Sequence, residues 1–317
     1  MIKPNFLQSE SWAKFQKANG NKTVFREIAG VETMGIIEHG QFANRLYFPY
    51  GPVIAKENFR EFTDEVRKIA KKEKLDFIRI EPTDASISRE ILKQNGFRES
   101  ARFVQPPTTV ISDLSGTEDD VRARLSQTAR RYAKKCDKAG ITYSVSYKPS
   151  DIHEFLEMIH EVSARTGANF HDDLYFQTLA TSLFPERKAG LLFAEIPDEN
   201  NSQISRKIAS IIFYTDGETM SYAHAANKTE YRKFSPATGL GLYALLFAKK
   251  QGCKWFDWFG VAPEKFIDKR YNSWAGLTQF KLSFGGKRVS RIGTWELPIR
   301  KQRYFIYRTL LKLSGRG

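Results

Sequence analysis

Little in this sequence would support a disulfide-bonded protein or a metal enzyme. Its 317 residues include two cysteines, Cys136 and Cys253, which lie far apart and form neither a disulfide framework nor a metal-binding pair. The five histidines are scattered and give no HxxxH pair. We therefore expect no metal and no cofactor, and so few thiols fit a reducing cytoplasm.

Membrane spans and common nucleotide-binding motifs are also missing. No stretch reaches the roughly 18 apolar residues of a transmembrane helix, and the opening MIKPNFLQSESW lacks the apolar run of a secretory signal. The patterns GxxxxGKS/T, GxGxxG and GxSxG are absent, which argues against a P-loop, a dinucleotide-binding loop and a hydrolase nucleophile elbow. We expect a cytoplasmic protein.

Positive charge is what the sequence has in excess. Fifty Lys and Arg against 36 Asp and Glu give a formal charge of +14. Residues 122–138 carry seven basic residues and one acid, and residues 281–317 carry ten and one. Such clusters attract nucleic acid, diphosphates or anionic lipid, although either run could also be a solvated helix face.

Apolar periodicity predicts helices that alternate with short strands. A helix over 57–73 and a strand over 77–80 are echoed by a helix that starts at the Ser235-Pro236 cap and by the strand KWFDWFG. We interpret this order as a weak internal duplication in an α/β (α+β) chain. One helical pattern covers 118–139, and a strand is predicted over 97–105.

Two local patterns have competing chemical interpretations. Cys136 lies among lysines that could lower its pKa, although an incidental cysteine on a helix is commoner. The stretch SPATGLGLYALL resembles a degenerate pyrophosphate loop of acetyl-coenzyme A-dependent transferases, with Gly239 and Gly241 in place but Pro236 where Gln or Arg belongs. It favours that architecture more than coenzyme A binding.

A lysine between two phenylalanines is the strongest chemical candidate. In AGLTQFKLSFGG, Lys281 follows Phe280, and Gly285-Gly286 allows a tight turn. Asp257 lies on the preceding strand, FDWFGV, and we count it with Phe280 among the candidate substrate-binding residues. A partly desolvated lysine here could stabilise an oxyanion or bind phosphate, whereas the plain alternative is a solvated surface side chain.

Three stretches resemble the Fem family, the aminoacyl-tRNA-dependent transferases that form peptidoglycan bridges. FDWFGV followed by AGLTQFKLSFGG resembles the C-terminal signature of that family. FLQSESWAKFQKANG resembles its opening, and QTARRYAKKCDKAGITYSV its basic helix leading into a strand. The three matches occur in the family's order and span nearly the whole chain.

The resemblance implies a fold and a reaction. It implies two tandem GNAT-like subdomains with mixed sheets, residues 1–107 plus 292–317 and residues 108–291. No long coiled-coil arm is evident. The implied reaction transfers glycine, alanine or serine from aminoacyl-tRNA to the stem-peptide amine of lipid II or UDP-MurNAc-pentapeptide. We expect a monomer.

The resemblance also assigns residues. Phe280 and Lys281 match the family's Phe-Lys pair, whose lysine acts at the transition state of acyl transfer. Glu81 matches an acidic position at a strand end, which we assign to orienting or deprotonating the amine. Lys17 is the nearest match to a lysine that contacts precursor phosphates, with Gln16 and Lys14 in competing registers.

Further matches concern the acceptor and the tRNA. His171 stands where the family can carry a phosphate-contacting arginine ahead of a Tyr-Phe pair, and Tyr222 matches a strand tyrosine that faces the pocket. The tRNA acceptor stem is expected to contact the basic helix through phosphates, in a salt-sensitive way. The residues expected to make those contacts are Arg130, Arg131, Lys134 and Lys135.

Several alternatives stay open at this point. The basic tail, residues 298–317, could lie on an anionic membrane at the inner face of the plasma membrane or pack onto the first subdomain. The chain could instead be an acetyl-coenzyme A-dependent N-acyltransferase or an aminoacyl-tRNA:protein transferase. It could also be a non-catalytic RNA- or membrane-binding protein on the same scaffold.

Overall fold

The computed structural model describes residues 5–83, 86–100, 102–198, 204–265 and 269–313, with the side chains of 269 and 270 left out. The chain divides into two compact units. The first comprises Met1–Pro107 and Ser290–Gly317, and the second comprises Thr108–Val289.

The first unit begins with a helix and an antiparallel meander, followed by a crossover helix and a parallel strand. Its elements are α1 (Glu10–Ala18), β1 (Lys22–Ile28), β2 (Val31–His39), β3 (Asn44–Phe48), α2 (Phe59–Lys72), β4 (Phe77–Ile80), α3 (Arg89–Gln94) and β5 (Arg98–Glu99). The predicted helix α2 forms because Phe59, Phe62 and Val66 recur at helical spacing and are fully buried.

The second unit repeats this plan with more helices. Its elements are β6 (Thr108–Asp113), α4 (Glu118–Arg124), α5 (Gln127–Lys138), β7 (Thr142–Ser146), α6 (Ile152–Thr166), α7 (Asp173–Leu183), β8 (Ala189–Pro197), β9 (Ser205–Thr215), β10 (Thr219–Asn227), α8 (Pro236–Lys250), β11 (Trp255–Gly260), α9 (Ala275–Leu282) and β12 (Lys287–Ser290). The predicted Asp216-Gly217 turn joins β9 to β10, and the Asp216 carboxylate accepts the Glu218 and Thr219 amides.

The chain then returns to the first unit with β13 (Trp295–Pro298) and α10 (Lys301–Leu313). The sheets have the orders β1-β2-β3-β4-β13-β5 and β12-β6-β11-β10-β9-β8-β7. Among the strand pairings that the structure describes, β3 with β4 and β10 with β11 are parallel, and their neighbours β2 with β3, β4 with β13, β9 with β10 and β11 with β6 are antiparallel. This confirms the predicted α/β class with two mixed sheets, and the internal duplication is visible in the strand order.

Two local predictions were wrong, and a third was right in position only. The pattern over 118–139 is two helices, because Leu125 is extended and Ser126 caps α5. Only two residues of the strand predicted over 97–105 are paired in the sheet, since the Val104 and Gln105 amides donate to a carboxylate instead. The predicted start of α8 is confirmed, since the helix begins at Pro236 with Ser235 in the N-cap position, but Ser235 makes no side-chain cap because it ends a short 3-10 turn in the left-handed conformation.

Within the described ranges the helices are of moderate length and the potential metal ligands are dispersed. The longest helices there, α6 and α8, have 15 residues each, too short for a coiled-coil arm. No helix among those residues has the length and apolar content needed to cross a membrane. Nor do three or more His, Cys, Asp or Glu side chains gather there closely enough to hold a metal.

Candidate active site

The parallel pair of the second unit opens into a cleft. β10 and β11 are paired from Thr219 with Trp255 as far as Ser221 with Asp257, and the pairing stops there although both strands continue. β10 has a register shift just after Tyr222, and β11 is irregular between Asp257 and Gly260. Such irregularities re-aim side chains next to functional sites.

A strained turn at the end of β11 points a carbonyl group into this cleft. Phe259 has a φ of 56°, an uncommon conformation for a large side chain. The buried Asp257 carboxylate holds the turn by accepting the Phe259 amide at 2.8 Å and the Thr109 hydroxyl. The next carbonyl, that of Gly260, faces the side chain of Lys281.

Lys281 carries a buried amine beside that turn. Its side chain is 4% exposed, and Nζ donates to the Gly260 carbonyl at 2.9 Å. Among the described residues this carbonyl is its only hydrogen-bond acceptor, and Nζ lies 5.4 Å from the centre of the Tyr222 ring. Burial lowers the pKa of Lys281 to about 8, although Asp257 opposes the shift. The amine therefore exchanges its proton near neutral pH, as groups at active sites often do.

Aromatic packing fixes α9, and hence Lys281, against β11. Phe284 stacks on Trp258 with ring centres 4.3 Å apart, and Phe280 meets both rings edge-on. Gly286 turns the chain where a Cβ atom would come within 2.4 Å of Val110. The predicted Phe-Lys pair and Gly-Gly turn thus build one rigid support for the amine.

A small pocket of about 220 Å³ is lined by Tyr222, the residue whose ring faces the amine, although Lys281 itself is not part of its lining. Phe280, Tyr222 and Leu277 line it together with four alanines, so its walls are mostly apolar. The buried hydroxyl of Ser210, also on its wall, has no hydrogen-bond partner among the described residues. Sequence patterns missed Ser210, because a strand serine has no signal that distinguishes it.

In the first unit, Glu81 follows β4 and is buried. Its carboxylate accepts the Tyr47 hydroxyl at 2.6 Å, the Thr294 hydroxyl at 2.7 Å and the Val104 and Gln105 amides at 3.0 Å each. These four donors occupy both oxygens. The geometry therefore favours a positioning role within its own unit over proton transfer.

The three candidate positions on α1 differ in exposure. Lys17 is exposed, whereas Gln16 is buried and accepts the Asn21 amide at 2.7 Å. Lys14 is exposed and forms an ion pair with Glu10 at 3.4 Å. Lys17 is thus the position most available to a ligand, and the phosphate contact stays a prediction.

His171 belongs to an aromatic cluster at the start of α7. Its ring stacks on Tyr175 with centres 3.7 Å apart and lies 6.1 Å from the ring of His224. Burial lowers the pKa of His171, with Asp172 opposing, and lowers the pKa of His224 to about 3. Both imidazoles are neutral at pH 7, so His171 is a weaker phosphate ligand than arginine.

The exposed face of α5 forms a basic groove of about 680 Å³. Its lining contains all four residues predicted to bind tRNA, namely Arg130, Arg131, Lys134 and Lys135. The opposite face of α5 is buried and includes Cys136, whose thiol contacts the Phe234 and Ser235 carbonyls. Burial raises the pKa of this thiol, so lowering by the neighbouring lysines, the less common interpretation, was wrong.

The glycines of the supposed pyrophosphate loop serve packing instead. A Cβ atom on Gly239 would lie 2.0 Å from the Tyr143 hydroxyl, and one on Gly241 would lie 2.5 Å from the Phe284 ring. Both glycines are buried within α8. They let the Tyr143 side chain of β7 and the Phe284 ring, which follows α9, pack closely against α8, and this packing role removes the sequence support for coenzyme A binding.

Comparisons with solved structures place this fold. The crystal structure of FemX aligns with a TM-score of 0.82 over 95% of this chain and 94% of that one, at 18% identity. L-PGS from Bacillus licheniformis aligns with a TM-score of 0.58 over 95% and 96%, at 17% identity. The chain therefore has the two-unit α/β fold of FemX.

Sequence comparison then gives the family. Residues 86–207 and 198–312 match the FemAB family, so the chain belongs to the FemAB family. Lipid II:glycine glycyltransferase of Staphylococcus aureus (strain MRSA252) is 26% identical over 226 residues, which are 64% of this chain and 53% of that protein. The chain spans about half the length of the curated relatives it matches.

Proposed function

We propose that this chain is a cytoplasmic aminoacyltransferase that moves an amino acid from tRNA to the stem-peptide amine of a peptidoglycan precursor. The buried Lys281 amine in the cleft between β10 and β11 is the observation that carries the proposal. Similarity to lipid II:glycine glycyltransferase favours glycine as the donor group and lipid II as the acceptor. Alanine, serine and a UDP-linked acceptor are the variants to test.

The chemistry is aminolysis of an activated ester. The acceptor nitrogen attacks the aminoacyl carbonyl carbon, and a tetrahedral oxyanion forms. The bond from that carbon to the tRNA 3′ oxygen then breaks, and the proton lost by the nitrogen passes to the departing oxygen. Because the ester is already activated, the protein needs mainly to hold both substrates and to stabilise the oxyanion.

Lys281 suits the second task. A protonated amine in a dry site stabilises developing negative charge more strongly than it would in water. Its pKa of about 8 keeps it mostly protonated at pH 7 and lets it relay the one proton in transit, because it can give its proton to the departing oxygen and regain one from the attacking nitrogen. We assign Lys281 to the oxyanion or to the leaving group.

The small pocket and the basic groove of the second unit fit the two parts of the donor, namely its aminoacyl group and its RNA. The pocket of about 220 Å³, with its alanines and the Ser210 hydroxyl, suits a small aminoacyl group. The basic groove on α5 suits a phosphate backbone, since it presents arginine and lysine side chains along one helix. We propose that Glu81 positions the acceptor side of the reaction indirectly, and that Lys17 and His171 contact the acceptor.

A transfer assay tests this function. The purified chain is incubated with labelled Gly-, Ala- or Ser-tRNA and with lipid II or UDP-MurNAc-pentapeptide containing lysine, with labelled acetyl-coenzyme A in a parallel reaction. Label from tRNA on the precursor is expected. Label from acetyl-coenzyme A alone, label only on a protein N-terminus, or no transfer at all would contradict the proposal.

A further inference from the structure

The helix α10 is firmly attached to the first unit along one side. Tyr304 and Tyr307 are buried, and their rings lie 5.4 and 5.0 Å from that of Phe77. The Tyr304 hydroxyl donates to Glu296 at 2.8 Å, and Arg79 donates to the Tyr307 hydroxyl at 2.9 Å. Buried hydrogen bonds of this kind fix the rotation of the helix about its axis.

The other side of α10 presents large apolar side chains to solvent. Leu313 is 79% exposed, Phe305 72% and Ile306 56%, and the first two are the most exposed large apolar side chains of the described residues. At about 3.6 residues per turn, these three fall on one side of the helix, away from Tyr304 and Tyr307. Exposed apolar groups clustered on one element mark an interaction surface.

Basic side chains border this apolar strip. A shallow groove of about 1120 Å³ runs along α10, and five of its lining residues are basic while none is acidic among the residues described. The five are Arg67, Arg98, Lys301, Arg308 and Lys312. Arg308 is partly engaged with Glu296 at 3.5 Å, whereas Lys301 and Lys312 are exposed. The sequence of α10, KQRYFIYRTLLKL, contains no acid.

We propose that α10 is an interfacial helix that docks the first unit on an anionic lipid bilayer. Phe305, Ile306 and Leu313 enter the boundary between headgroups and acyl chains, and the bordering cations meet lipid phosphates. Nucleic acid would use the cations but would leave Phe305 and Leu313 without a role. An anionic lipid surface offers acyl chains to the apolar side chains and phosphates to the basic ones, so it matches both kinds of group on this side of the helix.

Vesicle binding tests this surface without any acyl transfer. The full chain is sedimented with phosphatidylcholine vesicles that either contain or lack phosphatidylglycerol. We expect binding to the anionic vesicles only, a loss of about tenfold or more in partitioning for Phe305→Glu with Leu313→Glu, and about fivefold for Lys312→Ala. The matched control is Leu174→Glu, an exposed leucine of the second unit, which should bind like wild type.

Further readouts separate this surface from the transferase proposal. Because the changed side chains are exposed, thermal melting should be unchanged, and transfer to a soluble UDP-linked acceptor should be unaffected. Transfer to a lipid-linked acceptor in vesicles should fall. Wild-type protein that ignores anionic vesicles, or glutamate variants that bind like wild type, would overturn the inference. So would self-association of the chain that Phe305→Glu abolishes, with no vesicle binding.

Discussion

The two units share a strand order but treat a buried cation in opposite ways. In the first, β3 and β4 are paired over four positions to the ends of both strands, and Arg79 is bonded to Glu296 at 2.6 Å and to the Tyr307 hydroxyl. In the second, β10 and β11 separate early, and Lys281 has a backbone carbonyl as its partner. The same topology thus gives one core in which the buried cation is neutralised by a carboxylate and one in which the buried cation donates to a backbone carbonyl.

In a duplicated fold, the partner of each buried cation indicates which unit carries the chemistry. A paired buried cation is a structural element, and removal of its partner leaves an uncompensated charge. A buried cation without a carboxylate hydrogen-bond partner costs stability and is retained where it acts on a substrate. This contrast predicts opposite responses to mutation in the two units.

The largest stability effect is expected at Glu296 in the first unit. Glu296→Gln keeps the shape but leaves the Arg79 guanidinium buried without a counter-charge, which should cost about 3–5 kcal/mol of unfolding free energy. Urea unfolding measures this loss. The control is Glu99→Gln, which breaks an ion pair with Arg89 that is half exposed on both sides and should cost less than about 1 kcal/mol. Equal losses in the two variants would refute the contrast.

In the second unit, removal of the buried charge should raise the folding stability, whereas in the first unit loss of the counter-charge should lower it. Burial lowers the pKa of Lys281 from 10.5 to about 8, so the charged amine destabilises the fold fully below pH 8. Between pH 8 and 10.5 only the unfolded chain is protonated, so wild-type stability rises with pH. The shift corresponds to about 3 kcal/mol.

Lys281→Met should accordingly be more stable than wild type at pH 7, by up to about 3 kcal/mol, and the gap should narrow by pH 10. Urea unfolding of both proteins at the two pH values measures it. A variant that is less stable than wild type by the same amount at both pH values would show that the amine is a structural group.

A smaller, graded effect is expected on α5. Replacing Arg130, Arg131, Lys134 or Lys135 with alanine should weaken tRNA binding without regard to sequence, and should reduce the slope of log affinity against log salt by roughly one per contact. Filter binding over a salt series measures this slope. Lys254→Ala, an exposed lysine paired with Glu218, is the control. An unchanged slope in all four variants would remove α5 from the tRNA interface.

Sequence patterns predicted much of this arrangement, because they depend on local periodicity and on short motifs. The apolar spacing of α2, the turn at Asp216 and the Phe280-Lys281 pair all follow from neighbouring residues. The pairing that stops after Asp257, the strained turn at Phe259 and the packing of Gly241 depend on contacts distant in sequence. The charge state of Lys281 likewise depends on burial that no local pattern reveals.

The break between α4 and α5 is a second feature that the local sequence pattern does not reveal. A continuous helical pattern hides the interruption at Leu125 and Ser126, because apolar spacing persists through it. The Ser126 hydroxyl caps α5, and its amide donates to the Ser283 carbonyl at the end of α9. This tertiary hydrogen bond anchors the basic helix beside the segment that carries Lys281.

Whether Lys281 acts on the reacting group can be decided by comparing two lysine variants. Initial rates of aminoacyl transfer are measured for Lys281→Met and for Lys254→Met, which removes an exposed lysine of the same unit. We expect a loss of about 10²–10³ in kcat at Lys281 with little change in KM, since a lost charge-stabilising contact acts in the transition state, and no loss at Lys254. If the Lys281→Met rate stays within about threefold of wild type, Lys281 does not stabilise the transition state. Removal of a charge-stabilising contact typically lowers kcat by about 10²-fold or more.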